Sequence, residues 1–338
     1  MKTILHICAG WELSNGAANI ARMVMGEQWG EGHEVSFATW SRIRNLRSAD
    51  EVWIHCAWKP CLWWAALWGK NVHWMPEASY DPVRLRYHGW KKWLAGPIER
   101  FCLRRADVVV ATCQAEAEWI REYAPRVKKI KLTDVKRFFN LNHEIHEREG
   151  EISLHLLYLG RRHPLKGVEY LEEAVRKVQK LREEGQRTED KGQRVTRNCE
   201  LRIVSNAFGE EKEKVWEWCD VLVLPTLSEN FGLVVAEALE RGKRVITTDG
   251  APAWEEEAKV EVKVKVKVKG EVKVKEKVKV KVKIKGEVDG EDGSRGVVRT
   301  GSMWSGYDGR LIYLKGYRDG TSECRIELLK RAIESLVK

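Results

Sequence analysis

The chain has 338 residues, enough for two domains that each bury a core of their own. Its formal net charge of +10 would by itself suggest a nucleic-acid or membrane partner. Twelve lysines and four glutamates at 259–287 carry +8 of that charge, which leaves +2 for the rest of the chain. The body of the protein is therefore close to neutral, and a nucleic-acid-binding function loses its main support.

The cysteines and the apolar segments indicate the cellular compartment of the protein. Its eight cysteines form no C-x-x-C pair and no zinc-like spacing with histidine, and several lie in apolar runs, as reduced core cysteines do. The apolar stretch in Met1–Cys8 is too short for a signal peptide, and no segment approaches the roughly 20 apolar residues that span a bilayer. We therefore expect a reduced, cytoplasmic protein.

In the first 133 residues, short apolar runs alternate with helical periodicity, which predicts a parallel α/β domain. Strands are expected at 4–7, 33–40, 51–56, 106–112 and 128–132, and helices at 14–28, 61–68 and 83–105 and from 114 onward. Gly16 opens the first helix directly after the first strand, where a small residue lets backbone approach a phosphate. A glycine needed only for the turn is the alternative. The absence of G-x-G-x-x-G argues against a dinucleotide oxidoreductase.

Aromatic and basic residues are frequent in this half. A membrane-interface patch is one interpretation of the six tryptophans between 53 and 74, but packing in the core is favoured because they alternate between strands and helices. These are Trp53, Trp58, Trp63, Trp64, Trp68 and Trp74. Lys91, Lys92 and Arg100 are interpreted as a solvated basic face.

The polar stretch at 134–150 is the predicted linker. It precedes a second α/β domain at 151–320 and an amphipathic final helix at 321–338. Strands of this domain are expected at 152–159, 201–206, 221–224 and 244–248, and ordinary sequence resumes at 309–314 after the insert.

A low-complexity insert at 259–288 interrupts the second domain. Lysine alternates with valine there almost without a break, and this period of two predicts strands that turn back at Gly270 as a hairpin. An expansion tolerated between elements is the favoured interpretation, and a surface for acidic lipid or nucleic acid is the alternative.

The stretch from Ser228 to Glu237 lies between the apolar strand at 221–224 and a helix that Gly242 ends. Glu229 follows the carboxyl end of that strand, where open α/β sheets bind ligands. Gly232 at the helix start lets backbone N–H groups approach an anion. Glu237, about two turns into the helix, could accept both hydroxyls of a ribose. Taken alone, each acid would more simply be a solvated surface carboxylate.

Two cations follow the strand at 152–159. Arg161 and Lys166 lie across one turn, so both could converge on a diphosphate and stabilise it as a leaving group. A surface arginine and a helix-start lysine are the alternative. Since cations could do this work and no D-x-D lies near the site, we expect metal-independent chemistry with no metal ligands.

These motifs resemble those of a known family. Ser228–Glu237, followed by Gly-Lys-Arg-Val-Ile-Thr-Thr at 242–248, resembles the E-x7-E signature of retaining nucleotide-sugar glycosyltransferases of the GT-B fold, family 4. Gly160–Gly167 resembles the G-R-x4-K-G segment of that family, and 106–116 resembles its A-D-x-V-x-A-T segment. The resemblance implies an α/β protein of two facing Rossmann-like domains, with the final helix returning to the first.

The resemblance also implies roles for single residues. Arg161 and Lys166 would hold the diphosphate, Glu229 the donor sugar and Glu237 the ribose. The remaining donor-binding residues would be Asn230, Phe231 and Gly232 beside Glu229, Gly16 in the first domain, and Asn206 near the base.

One turn departs from the family pattern. Glu77-Ala78 stands where the family has His-Gly, and the family's histidine helps to hold the transferred sugar. Glu77 would accept hydrogen bonds from a donor or acceptor hydroxyl but would not act as a neutral imidazole does. Sugar identity and turnover both depend on this difference.

The implied function is retaining transfer of a sugar from a nucleoside-diphosphate donor to a glycan, lipid-linked or other hydroxyl acceptor, in cell-surface polysaccharide or glycoconjugate synthesis. The nucleotide sugar is a co-substrate, and no cofactor is expected. The protein would be cytoplasmic, with peripheral contact at the inner membrane face as an option. The alternatives are a nucleotide-sugar-binding protein without turnover and a nucleic-acid-associated protein that uses the Lys-Val insert.

Overall fold

The computed structural model describes residues 1–8, 10, 16–38, 46–87, 89–141, 153–187, 198–205, 207–258, 265–268, 271–274, 282–283, 302–306 and 310–337. Asn206, Gly270, much of the predicted linker and most of the insert lie outside these ranges. The chain divides into two compact units. The first comprises Met1–Phe138 and Asn230–Leu233, and the second comprises Phe139–Glu229 and Val234–Lys338.

The first unit is built on a parallel sheet of six strands. They are β1 (Thr3–Cys8), β2 (Glu34–Ala38), β3 (Glu51–His55), β4 (Val72–Met75), β5 (Val108–Ala111) and β6 (Ile130–Leu132), in the order β2-β1-β3-β4-β5-β6. Ile7, Ile54 and Val109 are fully buried within it. Burial on both faces is what short all-apolar strands predict, because helices cover a parallel sheet on each side.

Five α-helices accompany this sheet in the described part of the first unit. They are α1 (Gly16–Gly30), α2 (Pro60–Trp68), α3 (Pro82–Tyr87), α4 (Gly89–Arg105) and α5 (Gln114–Tyr123), followed by a 3-10 turn at Val135–Phe138. The helical stretch predicted at 83–105 is described as two helices, α3 and α4. Gly89, a poor helix former, begins the second of them.

The second unit is built on a mixed sheet. Its strands are β7 (Ser153–Leu159), β8 (Asn198–Val204), β9 (Val221–Leu224), β10 (Arg244–Thr248), β13 (Val282–Lys283), β14 (Ser302–Gly306) and β15 (Leu311–Lys315). The order is β13-β14-β15-β10-β9-β7-β8, parallel from β15 to β8 and antiparallel at β13 and β14. Within the insert, β11 (Lys265–Val268) and β12 (Glu271–Val274) pair antiparallel.

The α-helices described in the second unit are α6 (Val168–Arg187), α7 (Gly209–Trp218), α8 (Leu233–Glu240), α9 (Glu255–Ala258) and α10 (Ser322–Val337). Short 3-10 helices lie at Pro164–Lys166 and Pro252–Trp254. α10 packs against α6. Its predicted return to the first domain stays a prediction. The predicted architecture of two Rossmann-like α/β domains is confirmed.

The predicted packing of the six tryptophans is only partly right. Trp74 is fully buried, and Trp53, Trp58 and Trp63 are half-buried. Trp64 and Trp68 on α2 are 50% and 45% exposed, so they do not belong to the core. All eight cysteines lie in the described ranges, and none of them forms a disulfide bond.

Candidate active site

The loop after β7 carries the first predicted cation pair. A 3-10 turn at Pro164–Lys166 is capped by the His163 ring, whose Nδ1 accepts the N–H of Leu165 at 3.1 Å. Gly167 ends the turn with a φ of +62°. A Cβ at Gly167 would lie 2.2 Å from the carbonyl oxygen of Pro225, in the loop after β9. Glycine is therefore required both for the backbone angle and for the close approach of the two loops.

Backbone hydrogen bonds join these two loops. The carbonyl of Leu165 accepts the N–H of Leu227 at 2.8 Å and the hydroxyl of Thr226 at 3.1 Å. The loop after β9 is thereby held at a fixed distance from the 3-10 turn, and Lys166 is the last residue of that turn.

The loop after β10 completes the arrangement. The carbonyl of Gly250 accepts the N–H of Glu229 at 2.7 Å, and the hydroxyl of Thr248 donates to the carbonyl of Thr226. A Cβ at Gly250 would lie 2.1 Å from that same carbonyl oxygen. Three loops meet because the carboxyl ends of parallel strands share one edge of the sheet. The backbone of Glu229 is fixed by this meeting.

Lys166 and Glu229 form a direct ion pair, in which Nζ donates to Oε2. The two side chains are 18% and 20% exposed. The pair therefore stays within reach of a polar ligand. A phosphate could replace Glu229 as the partner of Lys166, and a sugar hydroxyl could replace Lys166 as the partner of Glu229. The structure brings these two predicted residues together.

Tyr158 is a member of this site that sequence reasoning missed. It lies in β7, is fully buried, and donates its hydroxyl to the backbone carbonyl of Arg161 at 2.8 Å. Burial, and then the negative charge of Glu229, raise the pKa of Tyr158, so the phenol keeps its proton and goes on fixing the turn. The available signal was a tyrosine among the leucines at the end of the strand, two residues before Gly160.

Arg161 is held through its backbone only. Its side chain is exposed, and the guanidinium makes no hydrogen bond or ion pair with the part of the chain that the structure describes. Its convergence with Lys166 on one diphosphate stays a prediction.

Glu237 lies about one turn into α8, because this helix begins at Leu233; the predicted depth of two turns is wrong. Its carboxylate pairs with Lys212 of α7 at 2.7 Å, and the side chains are 22% and 27% exposed. Sequence reasoning missed Lys212, because nothing in the run of charges at 210–214 separates it from a solvated helix face.

The residues between the two acids are mostly enclosed. Phe231 is fully buried, and Asn230 is 8% exposed. Gly232 has a φ of +71° directly before α8, a conformation that favours glycine. The predicted part of Asn230, Phe231 and Gly232 in donor binding stays a prediction.

Two predicted residues belong to the first unit. Gly16 begins α1, has no positive φ, and a Cβ there would meet nothing within 4 Å. Neither a turn nor the described packing therefore requires glycine at this position. Glu77 is buried, follows β4 and has a φ of +56°, and Ala78 has +55°. Left-handed backbone at two residues with side chains is strained, which is frequent at functional turns.

Glu77 ends a buried chain of hydrogen bonds. Its Oε1 lies 3.2 Å from Nδ1 of His55, whose Nε2 lies 3.0 Å from Nδ1 of His6. Nε2 of His6 lies 2.7 Å from Oε1 of Gln28. Burial lowers the pKa of both imidazoles to about 3, with a further contribution from His55 at His6. Both rings are therefore neutral, and each carries one N–H.

This count of protons determines the state of Glu77. With the amide oxygen of Gln28 as an acceptor, His6 and His55 each carry the proton on Nε2, and His55 accepts at Nδ1. Glu77 must then donate, as a protonated carboxylic acid. Burial and the nearby Glu116 raise the pKa of Glu77 well above its usual range. In this state one carboxyl oxygen of Glu77 donates to His55 and the other can still accept, and the predicted acceptance from a sugar hydroxyl stays a prediction.

Within the described ranges, no group of three or more His, Cys, Asp or Glu is placed to hold a metal ion. Metal-independent chemistry stays a prediction.

Comparisons with solved structures agree with this architecture. Sucrose-phosphate synthase from Thermosynechococcus elongatus matches with a TM-score of 0.51 at 15% identity, over 73% of this chain and 81% of that one. Anabaena HepE in complex with UDP matches with a TM-score of 0.51 at 14% identity, over 75% and 82%. At such identities the likeness shows the fold alone.

Sequence comparison supplies the family. No curated protein matches the chain. Residues 9–133 match the family described as Glycosyl transferase 4-like domain, and residues 153–283 match Glycosyl transferases group 1. Together these matches span most of the chain, and the predicted family and enzyme class are confirmed. The chain belongs to the group 1 glycosyltransferases, with a glycosyl transferase 4-like domain before the group 1 domain, and it has the GT-B fold.

Proposed function

We propose that the protein transfers a sugar from a nucleoside-diphosphate donor to a hydroxyl acceptor, with retention of the anomeric configuration. The observation that carries this proposal is the Lys166–Glu229 ion pair, at the ligand-binding edge of a parallel sheet in a glycosyltransferase. A cation and a carboxylate in contact are the two groups that a diphosphate and a sugar need.

On donor binding, Lys166 exchanges the Glu229 carboxylate for the diphosphate, and Glu229 becomes free to accept from the hydroxyls of the sugar. Lys166 then stabilises the negative charge that grows on the diphosphate as the glycosidic bond breaks. The exposed guanidinium of Arg161 supplies a second cation from the same loop.

Glu237 accepts from the hydroxyls of the ribose, and Lys212 orients its carboxylate. Glu77, from the first unit, donates its proton to His55, and its second carboxyl oxygen accepts from a sugar hydroxyl. Gly16, Asn230, Phe231, Gly232 and Asn206 complete the donor-binding set.

The chemical step is a displacement on one face of the sugar. The bond from the anomeric carbon to the phosphate oxygen breaks, and the phosphate keeps the electron pair. The acceptor oxygen bonds to the same face of that carbon and gives its proton to the departing phosphate. Since Lys166 and Arg161 provide positive charge, the step needs no divalent metal.

The acceptor class we propose is a glycan, a lipid-linked glycan or another hydroxyl compound of cell-surface polysaccharide or glycoconjugate synthesis. The reaction would take place in the cytoplasm, at the inner face of the membrane where the acceptor is lipid-linked.

A second candidate function is binding of a nucleotide sugar without turnover. The observation that favours it is Glu77-Ala78, which stands at a strained turn where the family has His-Gly. A neutral carboxyl lacks the geometry of an imidazole, so donor binding could persist while transfer fails.

The decisive experiment incubates the protein with a panel of nucleotide sugars, beginning with UDP-sugars because HepE was solved with UDP. Release of nucleoside diphosphate and transfer to added glycans are measured. Lys166→Ala should lower turnover by about two orders of magnitude or more, whereas the exposed Lys214→Ala should not. Donor binding by the parent protein without release would establish the second candidate, and equal turnover of the two variants would refute the role of Lys166.

A further inference from the structure

Helix α4 exposes a continuous row of large apolar side chains, which we call the α4 stripe. Its members are Trp90 (71% exposed), Trp93 (81%), Leu94 (68%), Ile98 (50%) and Phe101 (57%). The spacing of three, four, eight and eleven residues from Trp90 places all five on one side of the helix. The opposite side is buried and anchors the helix to the first unit through Gly96, Glu99, Cys102 and Leu103.

A single exposed apolar side chain is ordinary, but a contiguous patch marks a binding surface. The α4 stripe extends along a helix of 17 residues, which is about 25 Å long. The interpretation of this helix as only a solvated basic face is therefore incomplete, because Trp90 and Trp93 are also largely exposed on it.

Helices α3 and α4 are rich in positive charge. The segment Pro82–Arg105 contains seven Lys and Arg residues and a single acid, Glu99. The cations are Arg84, Arg86, Lys91, Lys92, Arg100, Arg104 and Arg105. Glu99 is fully buried, where it accepts from the hydroxyl of Tyr80 at 2.6 Å and from the indole of Trp63. Of these cations, Arg86, Lys91 and Arg105 are exposed, so the described part of this face presents cations beside an apolar row, with no exposed acid.

The neighbouring helix α2 also exposes tryptophans. α2 packs against α4 and exposes Trp64 and Trp68, whose rings lie 5.5 Å apart. Tryptophan favours the boundary between acyl chains and headgroups, and lysine and arginine are attracted to anionic headgroups. No helix in the described ranges is long and apolar enough to cross a membrane, so any lipid contact would be made with the surface.

We propose that the α4 stripe docks the protein onto an anionic lipid surface. The tryptophans and Phe101 insert among the headgroups, and the flanking cations pair with lipid phosphates. A second copy of the chain fits less well, because a symmetric contact through this face would bring the same cations of two copies together.

Co-sedimentation of the full chain with lipid vesicles tests the proposal. Vesicles of phosphatidylcholine with phosphatidylglycerol should bind the protein, vesicles of phosphatidylcholine alone should bind it far less, and added salt should weaken binding. Trp90→Ser with Trp93→Ser should lower the affinity at least about tenfold, because two large apolar side chains no longer leave water. Trp29→Ser is the matched control, since Trp29 is 76% exposed on α1 of the same unit, and it should bind as the parent does.

The Lys-Val insert is itself cationic, so the decisive comparison is between chains that differ only at positions 90 and 93. Equal binding by the parent and the Trp90/Trp93 variant would overturn the proposal. Failure to bind anionic vesicles, or equal binding to neutral ones, would overturn it too. If sedimentation velocity shows a dimer for the parent and a monomer for the Trp90/Trp93 variant, the stripe is the contact surface for a second copy, and the proposal is overturned. Because the readout is lipid binding, the outcome is separate from that of the transfer assay.

Discussion

Lys166 and Glu229 are 63 residues apart in the chain and form an ion pair at the carboxyl edge of the second sheet. Partly exposed ion pairs contribute little to stability, typically about 0–1 kcal/mol, so stability does not explain this one. Its position between three joined loops, within reach of solvent, suits exchange with a ligand that carries both phosphate and hydroxyl groups.

We expect the two residues to act as a unit in catalysis. Lys166→Met and Glu229→Gln should each lower kcat/KM by about 100-fold or more, because each removes a charge that the transition state requires. The double variant should lose little more than the worse single variant. Steady-state kinetics on all four proteins measures this, and losses that multiply would show that the two side chains act independently.

Lys212 is expected to act through Glu237. Lys212→Met should raise the KM for the donor roughly tenfold while kcat changes less, because the carboxylate loses the charge that orients it. Lys212→Arg should restore most of the affinity, since it keeps the charge. Lys214→Met, two residues along the same helix and exposed, is the control. Titration calorimetry with a nucleoside diphosphate checks the binding directly, and unaltered affinity of Lys212→Met would exclude this role.

Gly167 is expected to be far more sensitive than Gly209, although both have left-handed backbone, with φ of +62° and +54°. Alanine at Gly209 meets open space and should cost about 1 kcal/mol for the backbone conformation alone. Alanine at Gly167 meets the carbonyl of Pro225 and should cost at least about 2 kcal/mol more by overpacking. Denaturant unfolding of both variants gives the difference, and equal losses would mean that the loops move apart easily.

The protonated state of Glu77 predicts a pH-dependent stability. Because its pKa is raised in the folded state, the wild-type protein loses stability as pH rises above the unfolded pKa of about 4.3. Glu77→Gln has no such loss, so its free energy of unfolding should rise relative to wild type by about 1.4 kcal/mol per pH unit up to the folded pKa. Unfolding in urea across this pH range measures the difference.

Glu116→Gln provides the contrast. One carboxylate oxygen of Glu116 accepts the N–H of Ala78 at 2.6 Å, and the other accepts the N–H and hydroxyl of Thr112, both at 2.7 Å. An amide NH2 in place of either oxygen would face a donor, so this variant should be destabilised by about 1–3 kcal/mol at neutral pH. A pH-independent effect of Glu77→Gln would contradict the protonated state. Arg84 lowers the pKa of Glu77, but burial and the charge of Glu116 outweigh it, so the pKa is raised although a cation is near.

Local patterns were sufficient for much of the site. The apolar run at 221–224 predicts β9 with its bounds, and the change of period after Phe231 predicts α8 to within two residues. Lys166 and Glu229 could be identified from motifs. Tyr158 and Lys212 could not, because a strand tyrosine and a helix lysine are common and only their neighbours give them meaning.

The amino-acid sequence alone determined the α/β class, the family and the order of the motifs, because hydrophobic period and short glycine-containing loops are local properties of the chain. Only the tertiary structure decided which charges meet, that Glu77 ends a line of neutral imidazoles, and that the tryptophans of α4 face solvent. Each of these depends on burial and on partners from distant segments, and a local pattern cannot specify either of them. Helical spacing, for instance, groups Trp90 with Trp93 on one side of a helix, but only packing against the first sheet decides whether that side is covered.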